Sequence, residues 1–207
     1  MVRHASLALA VLLSLAGAAR AGEPLIYAHR GASGDAPGNS LAAFRLAREQ
    51  GADGVELDVR RTRDGHIVVF HDREVTLASG RRAKIAKLTL AELRTVDLGG
   101  GERIPTLDQV FDVLGPTMRV NIEIKAESPR TRGLEKETVR IVRARGAADR
   151  VIFSSFNPIS IRRVHRLAPE IPNGILVVPG VVGTLARRIA RADAIHPDQR
   201  MVSATDM

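Results

Sequence analysis

The sequence predicts an α/β fold, specifically a TIM-type (β/α)8 barrel that is truncated before its eighth strand. Beyond residue 21, apolar segments of strand length alternate with segments of helical periodicity. The strand segments are nearly continuous apolar runs, as in parallel strands that are covered on both faces. Charged side chains end several successive strands, and a barrel brings such ends together on one face, whereas a doubly wound sheet gathers its site at a switch point. No G-x-G-x-x-G or P-loop motif occurs, which disfavours the nucleotide-binding α/β folds.

Seven strands and six helices are expected in one domain. The strands are predicted at residues 24–29, 53–60, 67–70, 119–125, 151–156, 174–178 and 192–196. The helices are predicted at residues 41–50, 89–96, 107–114, 134–145, 159–167 and 181–191. Asn39 or Ser40 can cap the first of these helices, and Thr106 the third. Because no eighth strand follows, two strand edges should be left unpaired, either in a truncated chain or in one whose edge is closed by a second copy.

Composition limits the classes of function. The chain has 207 residues, of which 44% are hydrophobic and 26% charged, as in an ordinary globular protein. It has no cysteine, so disulfides and thiolate ligands are excluded. The net charge is +8, but aromatic residues make up only 3% of the chain, and no basic patch interleaved with stacking aromatics indicates nucleic-acid binding. The simplest interpretation of the excess charge is arginine on solvated helix faces, while attraction to anionic substrates or to membrane lipids at the periphery stays open.

The first 21 residues have the pattern of a signal peptide. Arg3 and His4 precede an apolar run over residues 5–16, and Ala19-Arg20-Ala21 has the A-x-A form of a cleavage site. The apolar run is too short to cross a bilayer of about 30 Å, so a retained anchor is the weaker interpretation. We therefore expect cleavage after Ala21, export to the periplasm or the exterior, and a barrel domain over residues 22–207.

Three carboxylates predict a metal site. Glu56 and Asp58 lie two residues apart on the second strand, so their side chains share a face. Glu123 occupies the same kind of position near the end of the fourth strand. Each could instead pair with an arginine at the barrel rim, but three buried carboxylates at neighbouring strand ends call for compensation by a cation. Oxygen-only ligands favour a hard divalent ion, Ca²⁺ or Mg²⁺.

Two histidines and two basic residues complete a candidate catalytic set. His29 and His71 end the first and third strands, and imidazole both accepts and donates protons near neutral pH. Arg30 and Lys125 can hold a phosphate, the first bidentately and the second as a point charge. A cation, two acid–base histidines and two basic groups suit the cleavage of a phosphodiester. The sequence leaves open which histidine is the acid and which the base.

Several blocks of the sequence resemble the glycerophosphodiester phosphodiesterase family. The first blocks are His29-Arg30-Gly31, Pro37-Gly38-Asn39-Ser40, Ala43-Phe44, Gly51-Ala52, Glu56-Leu57-Asp58-Val59, Thr62-Arg63-Asp64-Gly65 and Val69-Phe70-His71-Asp72. The later blocks are Ile104-Pro105-Thr106-Leu107, Asn121-Ile122-Glu123-Ile124-Lys125 and Ser154-Ser155-Phe156. The resemblance covers residues 25–178 and implies a TIM-type barrel, a divalent cation at Glu56, Asp58 and Glu123, and acid–base roles for His29 and His71. It also implies hydrolysis of small glycerophosphodiesters to glycerol 3-phosphate and an alcohol.

Two departures from the family pattern keep alternatives open. Gly38 stands where the family usually has a glutamate, which removes a charge and loosens the loop. The tryptophan-containing eighth strand of the family does not appear, and the chain has no tryptophan. The alternatives are a lysophospholipase D or sphingomyelinase D-like phosphodiesterase, and a non-catalytic protein that binds phosphodiesters or lipid head groups.

Overall fold

A sheet of seven strands, flanked by helices, forms the frame of the protein. The computed structural model describes residues 24–126, 128, 131–180 and 183–201. The strands are β1 Tyr27–His29, β2 Gly54–Arg61, β3 Ile67–Val69, β4 Glu74–Thr76, β5 Arg82–Lys84, β6 Arg119–Ile124, β7 Val151–Ser155, β8 Asn173–Val177 and β9 Ala194–Pro197. The helices are α1 Leu41–Glu49, α2 Leu90–Leu93, α3 Leu107–Leu114, α4 Leu134–Ala144, α5 Pro158–Leu167 and α6 Gly183–Ala190, with short 3₁₀ turns at Ile85–Lys87 and Gln199–Met201.

The main sheet has the parallel order of a barrel wall. Its strands pair in the order β1-β2-β6-β7-β8-β9, and each of these pairs is parallel. Across the residues that the structure covers, no ladder joins β1 to β9, so the sheet is open. The predicted α/β class is confirmed, and the open sheet agrees with a barrel that lacks its closing strand.

The third predicted strand is not a strand of the parallel barrel wall. β3 runs antiparallel to β2, with Val59 opposite Val69 and Arg61 opposite Ile67. The short connection between them, residues 62–66 with Gly65 at a φ of 100°, closes a hairpin. Two parallel strands would need a crossover of a dozen or more residues. All seven predicted strands are therefore present in the described sheet, but only six of them are parallel to one another.

The core explains why β2 is apolar on one face and charged on the other. Val55, Leu57 and Val59 are fully buried and belong to the main hydrophobic cluster. That cluster also contains Phe44 of α1, Val110 and Phe111 of α3, and Val142 of α4. The alternate residues Glu56, Asp58 and Arg60 point to the opposite side of the sheet. Packing against the helices thus fixes which side of β2 receives the charged residues.

The connection between β3 and α2, in which no strand was predicted, is an ordered insertion. β4 and β5 pair as an antiparallel hairpin, with Val75 opposite Ala83. A second hydrophobic cluster, which includes Val75, Ile85 and Leu93, lies beneath it. Each of these two strands is only three residues long and has one apolar residue between charged or polar residues. No apolar run therefore reveals them in the sequence.

The predicted helix caps are confirmed in part by side-chain geometry. Ser40, rather than Asn39, caps α1, because its Oγ accepts a hydrogen bond from the Ala43 amide at 3.1 Å. Thr106 caps α3 in a capping box with Gln109. None of the helices in the described part of the chain is long and apolar enough to cross a membrane. The predicted signal peptide at residues 1–21 lies outside the described residues.

Replacing Gly31 should destabilise the fold much more than replacing Gly34. Gly31 has a φ of +76°, and a Cβ there would lie 2.7 Å from the carbonyl carbon of Ala43 in α1. A Cβ at Gly34 would meet nothing within 4 Å. We expect Gly31→Ala to lower the free energy of unfolding by about 2–4 kcal/mol, from backbone strain and overpacking.

The matched control is Gly34→Ala, which should stay within about 0.5 kcal/mol of the parent protein. Urea unfolding of the three proteins measures both values. Equal stability of the two variants would contradict this account of how the β1–α1 loop packs on α1.

Candidate active site

All the candidate site residues except His71, which follows the antiparallel β3, lie towards the carboxyl ends of three adjacent parallel strands. In the β1–β2 pair, His29 lies opposite Glu56. In the β2–β6 pair, Asp58 lies opposite Glu123. Because parallel strands end at the same edge of a sheet, these side chains meet at one place.

Glu56, Asp58 and Glu123 form a compact carboxylate cluster. One oxygen from each of the three lies within 4.8 Å of the others. Asp58 is only 1% exposed. Burial, and then repulsion from Asp58 and Glu123, raise the pKa of Glu56 to about 8. Burial also raises the pKa of Glu123, although Lys125 opposes this shift. Three carboxylates this close together do not all ionise readily by themselves, and their oxygen donors fit a hard divalent cation.

Arg30 and Lys125 both contact Asp58. The Arg30 Nε lies 3.4 Å from Asp58 Oδ2 and is buried without a hydrogen-bond partner among the described residues. The Lys125 Nζ lies 3.3 Å from Asp58 Oδ1 and 2.8 Å from Glu123 Oε1. The residues predicted to hold phosphate are thus at the cluster, where they pair with carboxylates.

The two predicted catalytic histidines flank the cluster. The His29 Nε2 lies 3.7 Å from Glu56 Oε2, and the side chain is 67% exposed. Partial desolvation and the positive charge of Arg30 lower the pKa of His29, so neutral imidazole predominates at neutral pH. The positive charge of a protonated His71 lowers the pKa of His29 and that of Glu123. Both histidines are therefore accessible from solvent and close to the carboxylates.

His71 is positioned by contacts that the sequence did not reveal. Its Nδ1 lies 2.7 Å from Asp72 Oδ1, which leaves Nε2 for proton transfer. Its carbonyl oxygen accepts hydrogen bonds from Arg60 Nε at 3.0 Å and Nη2 at 2.6 Å. Arg60 follows Asp58 on the same face of β2, and that alternation is the signal that could have identified it. By contrast, the His66 Nε2 lies 3.8 Å from Asp64 Oδ2 at the surface.

Asn39 is a further site residue that the sequence indicated only as a helix cap. Its Nδ2 donates to Asp58 Oδ2 at 2.8 Å, and its Oδ1 accepts from the Asp58 amide at 3.4 Å. Asn39 is 2% exposed and has a φ of 62°, a conformation that asparagine tolerates better than most residues. Its position after Gly38 in a glycine-rich loop could have suggested it. A Cβ at position 38 would contact the Cβ atoms of Arg30 and Ser33 at 3.4 Å, so this position lies beside Arg30.

The sequence is similar to a known protein family along most of its length. The model of the glycerophosphoryl diester phosphodiesterase family matches residues 29–198. A glycerophosphodiester phosphodiesterase of Caldanaerobacter subterraneus subsp. tengcongensis is 40% identical over 183 residues, which cover 84% of this chain and 75% of the relative.

Solved structures with the same fold include two that are 31% identical to this chain. One is an Oleispira antarctica phosphodiesterase in complex with the product sn-glycerol-3-phosphate, with a TM-score of 0.79 and coverage of 88% of this chain and 78% of that one. The other is a glycerophosphodiester phosphodiesterase from Thermotoga maritima, with a TM-score of 0.68 and coverage of 84% and 74%.

A divalent cation should stabilise the protein through the carboxylate cluster. At a concentration 100 times the Kd, ligand binding adds about 2.7 kcal/mol, which corresponds to a rise in Tm of roughly 5–10 °C. Thermal melts during titration with Ca²⁺ or Mg²⁺ measure this rise. Glu56→Gln should abolish it, while the metal-free Tm should hold or increase because charge repulsion is relieved.

Glu170→Gln is the matched control. Glu170 pairs with Arg143 on the surface, away from the cluster, so this variant should keep the full cation-dependent rise. A rise of the same size in Glu56→Gln would exclude Glu56 as a ligand.

Proposed function

We propose, because the chain belongs to the glycerophosphoryl diester phosphodiesterase family, that it hydrolyses glycerophosphodiesters to glycerol 3-phosphate and an alcohol. The observation that carries the proposal is the carboxylate cluster of Glu56, Asp58 and Glu123 with a histidine on either side. The product found in the Oleispira antarctica phosphodiesterase, sn-glycerol-3-phosphate, supports the assignment of the product.

Glu56, Asp58 and Glu123 would hold one divalent cation, Ca²⁺ or Mg²⁺. All the available ligands are carboxylate oxygens, which these ions prefer. When bound, such a cation supplies Lewis-acid stabilisation of the negative charge on the phosphate. The raised pKa of Glu56 supports this proposal, because a carboxylate that is hard to ionise alone gains most from an added positive charge.

Arg30 and Lys125 would bind the phosphate of the substrate. They approach different oxygens of Asp58, at 3.4 and 3.3 Å, so two positive groups border the cluster on two sides. Arg30 offers a planar guanidinium and Lys125 a compact ammonium group, and both can donate to phosphate oxygens. These contacts would orient the substrate and offset charge that develops on its phosphoryl oxygens.

His29 and His71 would move the protons. One imidazole accepts the proton of the attacking oxygen nucleophile, and the other donates a proton to the alkoxide as its bond to phosphorus breaks. The bond from His71 Nδ1 to Asp72 fixes the ring and presents Nε2. The solvent exposure of both rings allows them to exchange protons with water after each turnover.

We also propose that the protein acts outside the cytoplasm. This proposal rests on the pattern of residues 1–21 alone, with its basic start, apolar run and A-x-A ending. Amino-terminal sequencing of the exported protein tests it, with a new terminus expected at Gly22.

His71→Asn should remove turnover without removing cation binding. Loss of a proton-transfer group costs about 10²–10⁴-fold in rate, while the carboxylate cluster is unchanged. The measurement is the release of glycerol 3-phosphate from glycerophosphocholine with Ca²⁺ or Mg²⁺, combined with the cation-dependent rise in Tm. His66→Asn, at the surface, should change neither quantity.

Two results would count against this function. An unchanged rate in His71→Asn would remove His71 from the mechanism. Folded wild-type protein that gains Tm with cation but releases no glycerol 3-phosphate would instead indicate a non-catalytic binding protein.

A further inference from the structure

A strongly basic cavity lies beside the carboxylate cluster. It has a volume of about 300 Å³, and of the 13 described residues that line it, 7 are arginine or lysine and none is aspartate or glutamate. Its walls come from the end of β2, from the insertion that carries β5 and the 3₁₀ turn after it, and from the segment that leads into α4. We call this space the basic cavity.

Some of the charged groups that line the basic cavity have no carboxylate partner among the described residues. Lys84, Lys87 and Arg132 line it, and no carboxylate of the described chain lies within 4.0 Å of their charged groups. Arg61 also lines it, and its Nε is buried without a hydrogen-bond partner in the described structure. Like charges gathered around one space repel each other, so an anion that enters is attracted by all of them.

Several arginines on or next to the helices, by contrast, have carboxylate partners. Arg140 binds Glu137 at 2.6 Å, and Arg143 binds Glu170 at 2.6 Å. Arg145, which follows α4, contacts Asp108 at 2.8 Å. At these positions a carboxylate lies beside the positive group, whereas none is among the described residues that line the basic cavity.

The basic cavity adjoins the place where the substrate phosphate would bind. Lys125 lines the cavity and also contacts Asp58 and Glu123 through its Nζ. Arg60 lines it too, and follows Asp58 by two residues on the same face of β2, about 7 Å further along the strand. Because Lys125 belongs to both places, a substrate with one phosphate at the carboxylate cluster can direct a second anionic group into the cavity.

We propose that the basic cavity binds a second anionic group, a phosphate or carboxylate carried by the alcohol part of the substrate. The inference rests on the proposed phosphodiesterase function and specifies its substrate class: glycerophosphodiesters with an anionic head group, in preference to neutral or cationic ones. Lys84 and Lys87 determine this specificity, and they lie on the insertion, outside the catalytic residues.

The test compares two substrates that differ by one phosphate, glycerophosphoglycerol and glycerophosphoglycerol 3-phosphate. The wild-type enzyme should have a kcat/KM at least about tenfold higher for the phosphorylated substrate, mainly through a lower KM. In the double variant Lys84→Ala/Lys87→Ala, this preference should fall to about twofold or less, while kcat/KM for glycerophosphoglycerol stays within about twofold of wild type. The preference of the wild-type enzyme should also weaken as salt is raised.

Lys136→Ala is the matched control. Lys136 is exposed on α4 and does not line the basic cavity, so this variant should keep the full preference. Equal kcat/KM values of the wild-type enzyme for the two substrates would overturn the proposal, as would a preference that the double variant retains.

Binding measurements separate this proposal from the proposed function. The rise in Tm with each compound is measured with wild type and the double variant, independently of turnover. If neither compound is hydrolysed but the phosphorylated one stabilises wild type more than the double variant, the enzymatic function fails and the anion site stands. If inorganic phosphate alone reproduces the effect on Tm and no substrate preference exists, the cavity takes a free anion and the proposed head-group specificity is wrong.

Discussion

Repulsion among Glu56, Asp58 and Glu123 is the constraint on which the rest of the site depends. The parallel register sets Asp58 opposite Glu123, and the alternation of β2 adds Glu56 on the same face. Three carboxylates therefore lie within 4.8 Å in a mostly buried place. Such a cluster is tolerable only where donors and positive charges surround it, and Asn39, Arg30 and Lys125 all direct polar groups toward Asp58.

The loop between β1 and α1 meets this demand by adopting strained backbone conformations. Arg30 has a φ of 58° and Asn39 a φ of 62°, and both side chains approach Asp58. Each left-handed residue costs about 1–2 kcal/mol. The Asn39 amide donates to the Arg30 carbonyl at 2.9 Å, which links the two residues directly, and the Ala32 amide donates to the Ala43 carbonyl of α1 at 3.0 Å. Within this loop, the two non-glycine residues with a strained backbone are thus the ones that contact the cluster. The rigid start of α1 supports the loop in this conformation.

The sequence revealed the parts of the site that follow from alternation and left out those that depend on chain direction or loop conformation. Glu56, Asp58 and Glu123 could be placed together because strand parity and parallel pairing determine where they point. The direction of β3 was missed because its apolar run has the same composition as a parallel strand, and only the short turn before it distinguishes the two. Asn39 and Arg60 were missed as site residues because their roles depend on a left-handed loop and on contact with the backbone of His71, neither of which has a periodic signal.

The structure shows where the excess positive charge of the composition lies. A net charge of +8 is consistent with basic residues spread over solvated helix faces, but arginines of α4 are paired with carboxylates. Among the described residues, Lys84, Lys87 and Arg132 have no carboxylate within 4.0 Å, and all three line the basic cavity beside the carboxylate cluster. Lys125 lies between the cavity and the cluster, and contacts the carboxylates while lining the cavity. A substrate with two anionic groups therefore meets positive side chains at both places, and these attract it more strongly than a substrate with one anionic group.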